Sequence, residues 1–169
     1  MTADELRALQ APLKARYKEE PAAAQLTLRA SGTLTGDNLV CRVASDVGPI
    51  DAGLHPATGG AGKSACSGDM LLQSLVACAG VTLQAVAAAM SIPLRGGTVT
   101  AEGDLDFRGT LGVDKQAPVG FSNIRLRFEL DTEATQQQLD QLIALTERYC
   151  VIYQTLRNPP AISLSRVSA

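Results

Sequence analysis

MLLQSLVACAGVTLQAVAAAMSIPL, residues 70–94, carries no charged side chain along its whole length. A run of this kind either crosses a membrane or forms a helix surrounded by protein, and the reading of the whole chain depends on which it is. Its length permits a span. Its interior argues for burial in protein: Gln73, Ser74, Thr82 and Gln84 recur at helical spacing, alanine fills much of the rest, and no basic cluster flanks either end, so the run reads as the central helix of a soluble core. Ser67 stands where an N-cap belongs, and Asp69 falls in the first turn, where a carboxylate complements the helix dipole.

Upstream, Thr2 to Glu19 has the pattern of an amphipathic helix, with Thr2 and Glu5 at capping-box spacing and Leu6, Leu9, Leu13 and Tyr17 on one stripe, and Pro21 ends it. QLTLRA at 25–30 and NLVCRVAS at 38–45 have strand character and are separated by Gly32, Gly36 and Asp37 as turn residues, which predicts a hairpin. The stretch from Gly48 to Gly68, rich in glycine and containing Pro49 and Pro56, reads as a long loop, and loops of that length commonly carry function. Downstream of Pro93 and Gly96 the period changes to two. TVTAEGDLDFRG and FSNIRLRFELD alternate as antiparallel strands with one covered face do. A helix from about Thr132, with Leu139, Leu142, Ile143 and Leu145 inward, leads through ERYCVIYQTL to Pro159 and Pro160, and AISLSRV supplies a closing strand. These elements make an α+β protein with antiparallel sheets packed around a long buried helix. It comprises an N-terminal helix over residues 1–20 and one domain over 21–169.

The composition narrows the function classes. Fifteen basic residues against seventeen acidic ones give a net charge of −2, which offers no electrostatic footprint for nucleic acid. Aromatic residues make up 4% and tryptophan is absent, so base-stacking platforms are not expected. No basic, apolar leader precedes Asp4 and Glu5, and the default expectation is a cytoplasmic protein without a membrane partner. An uncharged helix of 25 residues has more apolar perimeter than one small sheet can cover, which predicts a second copy of the chain as partner.

Cysteines at 41, 66, 78 and 150 form no C-x-x-C pair, and His55 is the single histidine, so neither a metal site nor a cofactor is expected. Cys41, between Val40 and Arg42 in a strand, reads as a small buried hydrophobe. LLQSLVACAGVTL around Cys78, followed 72 residues later by ERYCVIYQTL around Cys150, resembles the OsmC/Ohr family of organic hydroperoxide-reducing proteins over roughly residues 25 to 167. The resemblance implies an intertwined homodimer with two active sites at its interface. It also implies a two-cysteine thiol peroxidase: Cys78 attacks the peroxide, Cys150 resolves the sulfenic acid to a disulfide, and an external dithiol reduces that disulfide.

The family supports its thiolate with an arginine and a glutamate, and here the chain departs from the pattern. The acid's position, ten residues before the first cysteine, is Gly68, and Asp69 is one residue late. No arginine lies between Arg42 and Arg95, so Arg42, Arg148, Lys63 or His55 would take the auxiliary role. Many members have Cys-Pro where this chain has Cys150-Val151. Two other readings stand beside the peroxidase. One is an OsmC-like binding or accessory protein without peroxidase activity. The other is a nucleotide binder, because ATGGAGKS at 57–64 resembles a permissive phosphate-binding loop with Lys63 on the phosphates and Ser64 on magnesium.

Overall fold

The computed structural model describes residues 2–36 and 39–166. The uncharged run forms helix α2, Ser67–Ala89. Its N-cap is Cys66 rather than Ser67, and the Cys66 side chain makes no capping hydrogen bond. The helix stops before Pro93 through a Schellman turn: the Ser91 and Ile92 N–H groups donate to the Ala88 and Ala87 carbonyls at 3.0 and 2.9 Å, with Ser91 in the left-handed region at φ 55°. Leu75, Ala79, Leu83 and Ala87 are buried, one residue per turn along an i+4 row. Within one chain, burial is confined to that row and its flanks, and Val81 is 69% exposed. The elements that complete the core pack against that row.

Those elements are strand β5, Leu94–Asp104, strand β6, Asn123–Thr132, and helix α4, Gln136–Tyr149. β5 and β6 pair antiparallel, with Val99 opposite Phe128 and Ala101 opposite Leu126. Ile124, Leu126, Phe128 and Leu130 are half-buried while Arg125, Arg127, Glu129 and Asp131 face water, as the alternation predicts. On the wet face Arg95 bridges Asp131 and Glu133 at 2.7 and 2.6 Å, and Arg125 reaches Asp104 at 2.6 Å. β5 ends earlier than the alternating run suggests, because the Asp106 carboxylate accepts the Arg108 N–H at 3.0 Å and caps a short helix α3, Phe107–Thr110.

α4 starts later than Thr132, since Thr132 still belongs to β6 and Thr135 is the true cap, in a capping box with Gln138. Leu142 and Thr146 are its buried residues. The Thr146 hydroxyl is buried at no hydrogen-bonding cost, because it donates to the Leu142 carbonyl at 2.8 Å. The core joins these elements: Leu83, Ala87, Ile92 and Leu142, with Phe128, Leu130 and Ile143 packed against them.

The N-terminal part is built differently. Helix α1, Ala3–Glu19, has the predicted Thr2–Glu5 capping box, yet Leu9, Leu13 and Tyr17 are exposed. The predicted strand at 25–30 is irregular, with Leu26 and Leu28 exposed. The hairpin forms instead from β1, Gly32–Leu34, and β2, Cys41–Val43, with Leu34 opposite Cys41. Gly32 therefore lies in a strand rather than the turn, where a Cβ would press on the Cys41 sulfur. Asp37 and Asn38 lie outside the described residues. Two further strands occupy the stretch read as a loop: β3, Ile50–Gly53, antiparallel to β2, and β4, Ala65–Cys66, parallel to β3. The predicted closing strand is also irregular over 161–166, with Ile162 and Leu164 92% and 95% exposed, and Val167 lies outside the described residues. Both misread segments alternate as strands do, but among the described residues no strand pairs with them.

Candidate active site

Cys78 lies on α2 one turn before Thr82 and one turn after Leu75, at the half-buried flank of the Leu75–Ala79 row. It meets the place where α4 gives way to helix α5, Val151–Arg157. The break is a single residue. Cys150 is at once the C-cap of α4, its N–H donating to the Thr146 carbonyl at 2.9 Å, and the N-cap of α5, its Sγ accepting the Tyr153 N–H at 3.5 Å. No proline is needed for the restart, because the cysteine sulfur itself caps the helix. The Gln154 side chain ties the two helices by donating to the Glu147 carbonyl at 2.7 Å.

At this break the Cys78 thiol lies near the backbone N–H groups of Ile152 and Val151, the Cys150 thiol and the Thr82 hydroxyl. Burial pushes the Cys78 thiol up, but these donors outweigh it and hold the pKa below the ordinary thiol range. Cys150 moves the opposite way: burial raises it, and the proton it shares with Cys78 and the adjacent negative charge raise it further, against the N–H of Tyr153. The pair therefore favours Cys78 as thiolate and Cys150 as thiol. Both are free, as are Cys41 and Cys66. An α2 cysteine set against a cysteine at a helix break is a pairing that can be compared with known proteins.

The sequence profile described as OsmC-like protein matches residues 60–165. The chain belongs to the OsmC-like family. Solved structures share the fold at low identity. The OsmC like protein from Mycoplasma pneumoniae is 19% identical with a TM-score of 0.66, covering 80% of this chain and 90% of its own. The organic hydroperoxide resistance protein OsmC from Legionella pneumophila is 20% identical with a TM-score of 0.62, covering 80% and 92%. An organic hydroperoxide resistance protein from Elizabethkingia anophelis, solved with thiocyanate bound, is 20% identical with a TM-score of 0.57, covering 80% and 91%. No curated protein matches the sequence.

Within this OsmC-like chain Arg42, His55, Asp69 and Arg148 do not converge on Cys78. Arg42 is held by the Asp51 carboxylate at 2.7 and 2.9 Å on the water side of β2–β3, an arrangement that raises the arginine and lowers the aspartate. His55 accepts the Ala57 N–H on Nδ1 at 3.0 Å and stacks on Phe107 with centroids 5.1 Å apart. Asp69 shares a cavity with His55, Cys66 and Phe107 rather than with Cys78, in keeping with its helical phase. Arg148 comes nearest the break: its guanidinium lies 5.6 Å from the Tyr149 ring centre, in a surface groove that Cys150 also lines. Thr82 and the two N–H groups are the contacts that sequence reasoning missed. Thr82 was within its reach, four residues after Cys78 and so on the same face.

The glycine-rich loop is not a phosphate cradle. The N–H groups of Thr58, Gly59 and Gly60 donate to the His55 and Pro56 carbonyls at 2.8 to 3.1 Å, so they turn inward and not towards a ligand. Gly60 is required there because a Cβ would collide with the Leu54 carbonyl. Strand β4 then intervenes, and α2 begins at Ser67, beyond Lys63 and Ser64, whereas a phosphate-binding loop opens directly into its helix.

Proposed function

We propose that the chain reduces organic hydroperoxides, with Cys78 as the attacking thiolate and Cys150 as the resolving thiol. The observation that carries this reading is the place of Cys78 on α2 beside the α4–α5 break that Cys150 caps, with the Cys150 thiol and the Val151 and Ile152 N–H groups near its sulfur. The Cys78 thiolate attacks the terminal hydroxyl oxygen of the peroxide, forming an S–O bond as the O–O bond breaks; the displaced alkoxide takes a proton and leaves as the alcohol, and Cys78 becomes a sulfenic acid. Cys150 loses its proton, its sulfur attacks the sulfenic sulfur, and water leaves as the disulfide forms. An external dithiol returns both cysteines to thiols by exchange. The electrons come from that dithiol, so this chemistry uses no metal or prosthetic group. Cytoplasmic reducing conditions suit such a cycle.

The proposal includes a homodimer. The exposed stripe of α1, the exposed Val81 on α2, and the unpaired segments carrying Leu26, Leu28, Ile162 and Leu164 are surfaces that a second copy would cover. A second reading, an OsmC-like binding or accessory protein, is favoured by one observation: among the described residues no basic side chain bears on Cys78.

Reaction of the reduced protein with cumene hydroperoxide, followed by intact-mass and disulfide mapping, separates the two. The peroxidase forms a Cys78–Cys150 disulfide, Cys150→Ser stops at the sulfenic or sulfinic acid, and Cys78→Ser does not react. Retention of both free thiols in the wild type would establish the binding protein. The pH dependence of Cys78 alkylation in a Cys41→Ser, Cys66→Ser, Cys150→Ser background supplies a second measure. Because the folded protein lowers the Cys78 pKa, the rate should hold at pH values below the ordinary thiol pKa of about 8.5 and fall only as pH drops through the lowered value. The Cys150 thiol is one of the groups that lower it, so the background variant gives an upper bound.

A further inference from the structure

The cavity shared by His55, Cys66, Asp69 and Phe107 measures about 400 Å³ and lies at the start of α2, between that helix, the end of β5, α3 and the loop after β3. Its volume is that of a small-molecule site, and neither Cys78 nor Cys150 lines it. The chain has three phenylalanines and one histidine, and Phe107, Phe121 and His55 all meet here. Local features set the rings in place. His55 stacks on Phe107 with 17° between the planes, and the Ala57 N–H on its Nδ1 leaves the proton of the neutral ring on Nε2. Gly103 stands in β5 opposite Ile124, where a glycine weakens a strand, yet a Cβ there would collide with the Phe121 ring. Gly68, in the first turn of α2, leaves open the space beside Phe121 and Cys66.

The electrostatics of this space are one-sided. Asp69 and Asp104 line it, and no lysine or arginine does. Asp104 is engaged by Arg125 at 2.6 and 2.9 Å, whereas the Asp69 carboxylate has no hydrogen-bond or ion-pair partner among the described residues. One carboxylate is therefore free to meet one positive charge. Phenylalanine faces attract cations as well, and Leu72 and Leu105 add apolar wall. An anion would meet Asp69 with no cation to balance it. A metal ion has no set of three His, Cys, Asp or Glu ligands here among the described residues. What fits is a cation that carries its own apolar body.

We infer that this cavity binds a small organic monocation of the ammonium class, held by the Phe107 and Phe121 rings and the Asp69 carboxylate. The site shares no residue with the cysteine pair. Titration of the reduced full-length protein with choline at constant ionic strength tests it, read on the imidazole proton resonance of His55, which is unambiguous because the chain has one histidine. The resonance should shift saturably. The neutral isostere, in which a tert-butyl group replaces the trimethylammonium, should bind about tenfold more weakly. Phe107→Leu should weaken choline about fivefold and Asp69→Asn about threefold, and both should leave the isostere near its wild-type affinity. Gly68→Leu fills the space from a helical position where a Cβ meets only ordinary contacts, and should abolish the shift with circular dichroism retained. Cys78→Ser should bind choline as the wild type does, so thiol chemistry and this site are read separately. No saturable shift, equal binding of choline and its isostere, or an Asp69→Asn variant that binds as the wild type would overturn the inference. So would a dissociation constant that rises with protein concentration, because a basic side chain of a second copy would then be the occupant.

Discussion

The two sheets of this chain close in different ways. β5 and β6 are eleven and ten residues long, and one face of their hairpin is covered by α2 and α4 of the same chain. β1 to β4 are two to four residues long, and the apolar residues Leu34, Leu39 and Ile50 around them are exposed. A strand pair is stable when a hydrophobic face is covered. The C-terminal half meets that requirement alone, whereas the N-terminal half, with α1, presents apolar surface that its own chain leaves open.

Three variants test how deep this division runs. The largest effect belongs to the self-sufficient half. Leu142 is fully buried in the core with Leu83 and Ile92, and Leu142→Ala should lower unfolding stability by about 3 kcal/mol in urea titration. A loss under about 1 kcal/mol would mean that the core does not depend on α4. The next is a Leu26→Asp, Leu28→Asp variant in the open half. These side chains touch little within one chain, so circular dichroism should keep its shape. In sedimentation equilibrium the dissociation constant of the proposed dimer should rise about tenfold, or about 1.4 kcal/mol, and an unchanged value would show that a second copy does not cover this segment. The smallest effect returns to the closed half. Ser91 occupies a left-handed conformation at the end of α2, and Ser91→Gly should raise stability by about 0.5 kcal/mol, the relief of strain exceeding the added chain entropy. A loss on the same substitution would show that Ser91 contributes contacts beyond its backbone turn.

The same division sets how much was legible in the sequence. The uncharged run gave α2, and period two gave β5 and β6, because their burial pattern arises from elements close by. β3 and β4 escaped because IDAG and AC are too short to show a period, and they are strands only through pairing with β2 and with each other. The alternation at 25–30 is present in the residues, but pairing requires an edge that this chain does not supply. At the site, the place of both cysteines followed from the family resemblance. The N–H groups of Val151 and Ile152 on Cys78 could not follow from residue types, since every residue but proline carries one. The absence of Pro at 151 pointed away from a helix start, and the Cys150 cap makes the start without it. Phe107 and Phe121 drew no notice because a cavity between separate elements has no signature in linear order.

Cys150 closes one helix and opens the next. A rod that changes direction at one residue behaves as a joint, and here the joint is pinned by the sulfur, which holds the first turn of α5 through the Tyr153 N–H. Beyond it, α5 acts as a short lever ending at Arg157, from which Pro159 and Pro160 set the course of the tail. A change in the bonding of that sulfur would act first on this pin, at the turn that starts α5.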